Sequence, residues 1–335
     1  GWEFQMANQP NRPTQLSPTS RVLGFNINGS RTMIVYSDIN GLIFEKLIIE
    51  TPRKEPFGSA LGIINNAADK LLTMVRAQRL PNPDILSAAI SGDIDVEHGT
   101  IMASPDLPEW RSVAFKSSLE VSYNIPVIIE QEANASALAE YYYGSGQGVR
   151  NLVFLSMEPT LRAGIITNGR VFRGGRGRSG RIGDVIISEH GPAGYGDPGS
   201  LNGFASAAGI LELAHLRFPN NWPLETGVDQ IMEAARSGDV NARQVFLEAG
   251  NWLGKGICPL VRLLDPEVIL VGYPGSLLEE VMLNPARQAL AEVSNLSETN
   301  LPKLLPAKLG SKLPEMTAIA PAIHCFRKKE SAVSN

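Results

Sequence analysis

Apolar and polar residues alternate from the start of the patterned part of the chain. Val22-Leu23-Gly24-Phe25, Thr32 to Tyr36 and Leu42 to Ile49 are separated by Asn28-Gly29 and Asn40-Gly41. Asn-Gly supplies the positive-φ residues of a tight hairpin turn, so this spacing predicts three consecutive antiparallel strands. Over 58–79 the period changes: Leu61, Ile64, Ala68, Leu71, Leu72 and Val75 recur at helical spacing, and Pro81 and Pro83 end the run. Ile85 to Ile90 then reads as a buried strand. The pattern repeats beyond residue 150. Leu152 to Leu155, Gly164 to Thr167 and Arg170 to Phe172 are strand segments, with Asn168-Gly169 as the turn between the last two. Ala249 to Leu264 places Leu253, Ile257, Leu260, Val261 and Leu264 on one helical face, and Pro259 inside it predicts a kink or a lost hydrogen bond. Val268 to Val271 is a short apolar strand ending at Gly272, before a turn through Tyr273-Pro274-Gly275. Two hairpin-plus-helix units in tandem predict an α/β protein of two lobes with a ligand cleft between them.

Composition narrows the class. The 335 residues suffice for about two domains. Thirty Lys plus Arg against 34 Asp plus Glu give a net charge of −4, which offers no global attraction to nucleic acid or to an anionic membrane. DNA binding would need a segment absent from this chain. Two cysteines, Cys258 and Cys325, form neither a secreted disulfide framework nor a four-ligand metal site. No apolar run reaches membrane-span length, and residues 1–20, with Pro10, Pro13 and Pro18, read as an extended polar lead-in unlike a signal peptide. The expectation is a cytoplasmic protein without a membrane partner.

Four segments carry a family likeness: GFNINGSRT (Gly24 to Thr32), GDIDVEHGTIMASPDLPEW (Gly92 to Trp110), EQEANASALAEYYYG (Glu130 to Gly144) and AGIITNGRVFRGGRGRSGRIGD (Ala163 to Asp184). In this order they resemble the ROK family of bacterial repressors, open reading frames and sugar kinases, over residues 21–326. The resemblance implies a two-lobed, actin-like ATPase (ribonuclease H-like) fold with an interlobe cleft. Its N-terminal lobe would hold 21–131 plus about 311–326, and its C-terminal lobe 132–310. It further implies a homodimer. Family repressors carry a DNA-binding domain before a linker like residues 1–20, with Arg-Pro near the first strand, as at Arg12-Pro13.

Phosphoryl transfer needs donors around the γ-phosphate, a divalent metal, and a base for the acceptor hydroxyl. The family hairpin G-x-D-x-G-G-T is matched by Gly24, Asn26, Asn28, Gly29 and Ser30, so an amide replaces the carboxylate that neighbours the metal. The phosphate loop T-G-I-G-A-G is matched by Pro159, Thr160, Leu161, Arg162, Ala163 and Gly164, preceded by Glu158. Proline removes a donor, side chains fill both leading glycine positions, and Glu158 repels a polyphosphate. Gly272 completes the set of degenerate nucleotide-site positions. The catalytic Asp of N-D-A-N is matched by Glu132 in Gln131-Glu132-Ala133-Asn134. A displacement of about 1 Å from the extra methylene can cost roughly a hundredfold in rate. Glu132 also reads simply as a carboxylate at a helix N-terminus.

The sugar-contacting E-x-G-H is matched by Arg181-Ile182-Gly183-Asp184, the Asn of N-L-P-G-W by Asp106, and a further sugar-binding Glu by Asn202. Together with Gln131 these are the ligand-site candidates: Asp106, Gln131, Arg181, Asp184 and Asn202. In the segment matching the family's zinc loop, Gly191 to Asn202, the cysteine positions hold Ala193, Tyr195 and Ser200, and the histidine is Asp184, so no zinc is expected. Arg173, Arg176, Arg178 and Arg181 are interleaved with Gly174, Gly175, Gly177 and Gly180. They read either as a loop closing on an anion or as arginines paired with Asp184, Glu189 or a second subunit. The sum is a non-catalytic, effector-binding and dimerising protein of sugar-related regulation, with a small-molecule carbohydrate or anionic metabolite as partner and no metal or cofactor. The rival is a carbohydrate kinase using ATP, Mg and Glu132.

Overall fold

The computed structural model describes residues 15–333; of the expected lead-in, residues 1–14 lie outside the described residues. The first strands are β1 (Arg21–Ile27), β2 (Arg31–Asp38) and β3 (Ile43–Glu50), followed by α1 (Phe57–Ala77) and β4 (Ile85–Ile90). A small hairpin, β5 (Asp93–Asp95) and β6 (Thr100–Ala103), precedes α2 (Phe115–Tyr123), β7 (Val127–Gln131) and α3 (Glu132–Tyr143). Next come β8 (Leu152–Ser156), β9 (Arg162–Thr167) and β10 (Arg170–Val171), then α4 (Leu201–Ala205), α5 (Ala207–Arg217), α6 (Val228–Arg236) and α7 (Val240–Leu264). The chain closes with β11 (Val268–Val271), α8 (Asn284–Ser294), β12 (Lys303–Pro306) and α9 (Leu313–Val333).

The two five-stranded sheets run β3-β2-β1-β4-β7 and β10-β9-β8-β11-β12. Each places its strands in the same order, three antiparallel and then two parallel, which is the duplicated arrangement of the expected actin-like fold. Strand alternation assigns each face. On β8, Val153 and Leu155 join the core under α4 to α8, whereas Leu152 and Phe154 turn to a second core shared with α3 and α9. That central core also takes Val22, Val35 and Ile85 of the first sheet, so α3 and α9 are packed between the two sheets. Such a burial gradient explains why their composition is alanine-rich: only small side chains fit between two close layers.

Two boundaries differ from the periodic reading. α7 begins at Val240, where Asp239 caps it by accepting the Ala242 N–H at 2.7 Å, and not at Ala249. Its first two turns bury Ala242, Val245 and Phe246 but also expose the apolar Val240 and Leu247, which blurs their period. α7 also continues through Pro259, an exposed position where solvent can satisfy the carbonyl that loses its partner. No helix among the described residues is long and apolar enough to cross a membrane.

Candidate functional site

The strand-to-helix junction β7–α3 fixes the site. Gln131 ends β7 and caps α3, its Oε1 accepting from the N–H groups of Ala133 (2.7 Å) and Asn134 (3.2 Å). Glu132 is therefore the first helical residue and its carboxylate reaches the cleft. On the other side β9 approaches so closely that a Cβ on Gly164 would fall on the Ala133 carbonyl. Asn134 Oδ1 accepts the Ile165 N–H at 3.3 Å and completes the joint between α3 and the second sheet. A cavity of about 410 Å³ opens between the sheets, and Asp106, Gln131, Glu132, Thr160, Arg162, Arg181, Asp184 and Asn202 all line it.

The remaining candidates stand outside that lining. Asn26, 4% exposed, donates to the Pro314 carbonyl at 3.1 Å and so ties β1 to α9. Asn28 closes its hairpin, its Oδ1 accepting from the N–H groups of Ser30 (3.1 Å) and Arg31 (3.0 Å), while its Nδ2 donates to Glu132 Oε1 at 3.2 Å. The Gly29 N–H donates to Asp106 Oδ2 at 2.6 Å. Gly272 follows β11, its N–H donating to the Leu155 carbonyl at 2.9 Å. Several lining residues also have structural duties. Asp106 takes the Ser91 and Ser104 hydroxyls on Oδ1 at 2.8 and 2.7 Å. Asn202 accepts the Leu161 N–H at 2.7 Å and donates to Asp184 Oδ1 at 3.2 Å.

One end of the cavity is an arginine cluster around Asp93. Arg162 donates to Asp93 Oδ1 at 2.8 Å and also to the carbonyls of Gly177 and Ser179; Arg181 NH1 donates to Oδ2 at 3.1 Å, and its Nε to Asp184 at 2.6 Å. Arg178 approaches Asp93 only to 3.8 Å. Nearby, Arg173 donates twice to Glu130 Oε2, at 2.9 and 2.5 Å, and Glu130 is 1% exposed. Thus the arginine segment does pair with carboxylates, including the expected Asp184, but its main anchors are Asp93 and Glu130 of the other sheet's segment, not Glu189. Nothing in local spacing marks those two acids, because they meet the arginines only through the folded cleft.

The opposite end is acidic and its donors are taken. α5 has three first-turn N–H groups: Ala207 donates to the Met157 carbonyl at 2.8 Å, Ala208 to Pro159 at 3.5 Å, and Gly209 to its capping Ser206 hydroxyl at 3.0 Å. The loop thus covers with its own carbonyls the kind of helix start that otherwise receives an anion. Tyr273 hydroxyl donates to Asp229, and Asp229 lies near enough to Glu158 to raise its pKa.

Burial and the neighbouring Asp106 push Glu132 up to about 8, against the lowering effect of the Asn28 hydrogen bond. The protein wall and Asp229 push Glu158 up to about 7, although its side chain is open to cleft water. Glu132 is hence a proton donor to a bound hydroxyl at pH 7, or a base poised near that pH.

The Gly191 to Asn202 loop is held by turns. Glu212 of α5 accepts the N–H groups of Ala193 (3.1 Å) and Gly194 (2.9 Å) with one oxygen, and Gly199 donates to the Pro192 carbonyl at 3.2 Å. Ala193, Tyr195 and Ser200 supply no thiolate at the zinc positions, and these residues do not fit that ion. Among the described residues, no group of three His, Cys, Asp or Glu is placed to hold a metal. Tyr195, met in the sequence only at a zinc-loop position, and Arg111, which did not stand out there, line the cavity as well.

A family model described as "ROK family" matches residues 23–323. A xylose repressor of Caldicellulosiruptor bescii is 29% identical over 248 residues, 71% of this chain and 62% of the repressor, so more than a third of that relative lies outside the match. A glucokinase of Halalkalibacterium halodurans is 27% identical over 280 residues, 79% of this chain and 84% of the enzyme. Among solved structures, a ROK family glucokinase from Streptomyces griseus in complex with glucose and AMPPNP superposes with a TM-score of 0.77 at 25% identity, covering 90% of this chain and 98% of that one.

Proposed function

The chain belongs to the ROK family, and on that premise we propose that it is a non-catalytic member, the effector-binding and dimerisation module of a sugar-related transcriptional regulator. The carrying observation is the covered start of α5, whose first-turn donors are spent on Met157, Pro159 and Ser206. With Glu158 and Asp229 beside it, this end repels a triphosphate, and Asn26, committed to Pro314, brings no charge for magnesium. The other end keeps a carbohydrate-sized cavity with donors and acceptors converging from both sheets. A ligand bridging them favours whichever cleft geometry it contacts best, and a dimer passes that bias to a DNA-binding segment carried elsewhere. The similarity to a xylose repressor supports this reading.

The second reading, a carbohydrate kinase, is favoured by Glu132: a cleft carboxylate pushed up to about 8 suits a general base. Incubation with radiolabelled ATP, magnesium and a panel of sugars separates the two. The sensor reading expects no labelled sugar and no ATP binding in the micromolar range by calorimetry. Label transfer that Glu132→Gln abolishes would establish the kinase instead.

A further inference from the structure

The arginines around the cavity differ in how many of their donors are used. Arg162, Arg173 and Arg181 each make two or more hydrogen bonds to protein oxygens. Arg178 and Arg111 also belong to this set of cleft-side cations, both lining the cavity. Among the described residues neither makes any hydrogen bond, and Arg178 has only the 3.8 Å approach to Asp93.

Arg178 is nevertheless firmly placed. Gly177, at φ +67°, lies against the Ile94 carbonyl where a Cβ would collide, and Gly180, at φ +78°, lies against the Ala163 carbonyl in the same way. Between them the Ser179 hydroxyl donates to the Phe172 carbonyl at 2.8 Å, and Arg162 holds the carbonyls of Gly177 and Ser179. The backbone on both sides of Arg178 is thus pinned, while its side chain, 55% exposed, extends to the cavity. A fixed base under an unsatisfied planar fork is the geometry of carboxylate recognition. The neighbouring Arg162 and Arg181 already hold a carboxylate, that of Asp93.

We propose that the ligand of this cleft is a sugar acid, a monosaccharide bearing one carboxylate, whose anionic group docks on Arg178 and Arg111. A carboxylate fits better than a phosphate ester. Asp93, Asp106, Asp184, Glu132 and Glu158 line the same cavity as the four arginines, so a singly charged carboxylate meets less repulsion there than a doubly charged phosphate ester. The inference rests on the ligand-sensing reading for its site, not for its chemistry.

Calorimetry and thermal shift with the full chain compare glucuronate, glucose and glucose 6-phosphate. Glucuronate is expected to bind at least tenfold more tightly than either. Arg178→Ala and Arg111→Ala should each weaken it by roughly tenfold or more, as expected for a lost charge-assisted bond. Arg176→Ala, on the same segment but outside the lining, should leave binding unchanged. Equal affinity for glucose, preference for the phosphate ester, no binding of any of the three, or undiminished binding by Arg178→Ala would each overturn the proposal. The outcomes for the sensing reading are separate: if glucuronate binds and is phosphorylated, that reading fails while the carboxylate site stands.

Discussion

The two ends of the cleft are both crowded with charge, yet one has closed its donors against ligands and the other has not. Around α5 each first-turn N–H is matched to a carbonyl or hydroxyl of the chain itself, and the flanking side chains, Glu158 and Asp229, are acceptors. Around Asp93 the matching is incomplete: Arg162 and Arg181 are hydrogen-bonded, while Arg178 approaches only to 3.8 Å, and Arg111 of the cavity lining likewise has donors to spare. A site's capacity is set by its unspent groups and not by its count of charges. By that measure the α5 end has no first-turn donor left to offer, and the arginine end has.

The most severe way to break this contrast is Asp93→Ala. Arg162, 11% exposed at its side chain, loses its carboxylate, and Arg181 loses one of two. Removing one partner of such a nearly buried pair costs about 3 kcal/mol. Urea denaturation should show that loss, and Asp93→Asn should recover part of it. An unchanged midpoint for the alanine variant would mean the cluster is solvated and the receptive end is not built as described.

Glu132 sharpens the same contrast through pH. Its folded pKa, about 8, lies above the ordinary carboxylate value, so the folded protein holds a proton that the unfolded chain releases. Its contribution is complete below pH about 4.5 and declines as pH rises to about 8. Glu132→Gln should therefore be close to neutral in stability at pH 4.5 and more stable than the parent by up to about 4 kcal/mol at pH 8. Parallel stability curves for the two proteins would show that the carboxyl is not held neutral by its surroundings.

Much of this architecture was legible beforehand because local rules determine it. Asn28-Gly29 and Asn168-Gly169 announced their hairpins, and both sheets follow from strand runs whose apolar residues could only be buried. The α7 start escaped because Val240 and Leu247, apolar but exposed, blur the period of its first turns. At the site, the family resemblance pointed to the segments 131–134 and 159–164, yet it could not reveal that Gln131 is a helix cap or that Asp93 and Glu130 receive the arginines. The arginine contacts join residues 43 to 88 positions apart and form only in the folded cleft. Family likeness supplies positions; which donors are already engaged is a property of the fold alone.

A weaker effect concerns the loop that has kept its path without thiolates. Glu212 gathers two N–H groups from an exposed position, so Glu212→Ala should cost about 1 kcal/mol and increase proteolysis within 191–202. Intact protection of that segment would assign its shape to the glycines instead.

The smallest expected effect is the most discriminating. Arg178→Ala removes a cation from beside Asp93, as Asp93→Ala removes the anion, and an argument from charge alone would give the two changes similar weight. Geometry separates them. At 3.8 Å and 55% exposed, the Arg178 guanidinium pays little desolvation and makes no hydrogen bond, so its loss should change stability by less than about 0.5 kcal/mol. Asp93 keeps Arg162 and Arg181, and the backbone stays pinned by Gly177 and Gly180. A denaturation midpoint matching the parent would identify Arg178 as a group held in reserve at the cleft. A loss comparable to that of Asp93→Ala would make it a structural member of the cluster and erase the difference between the paired and the unspent arginines.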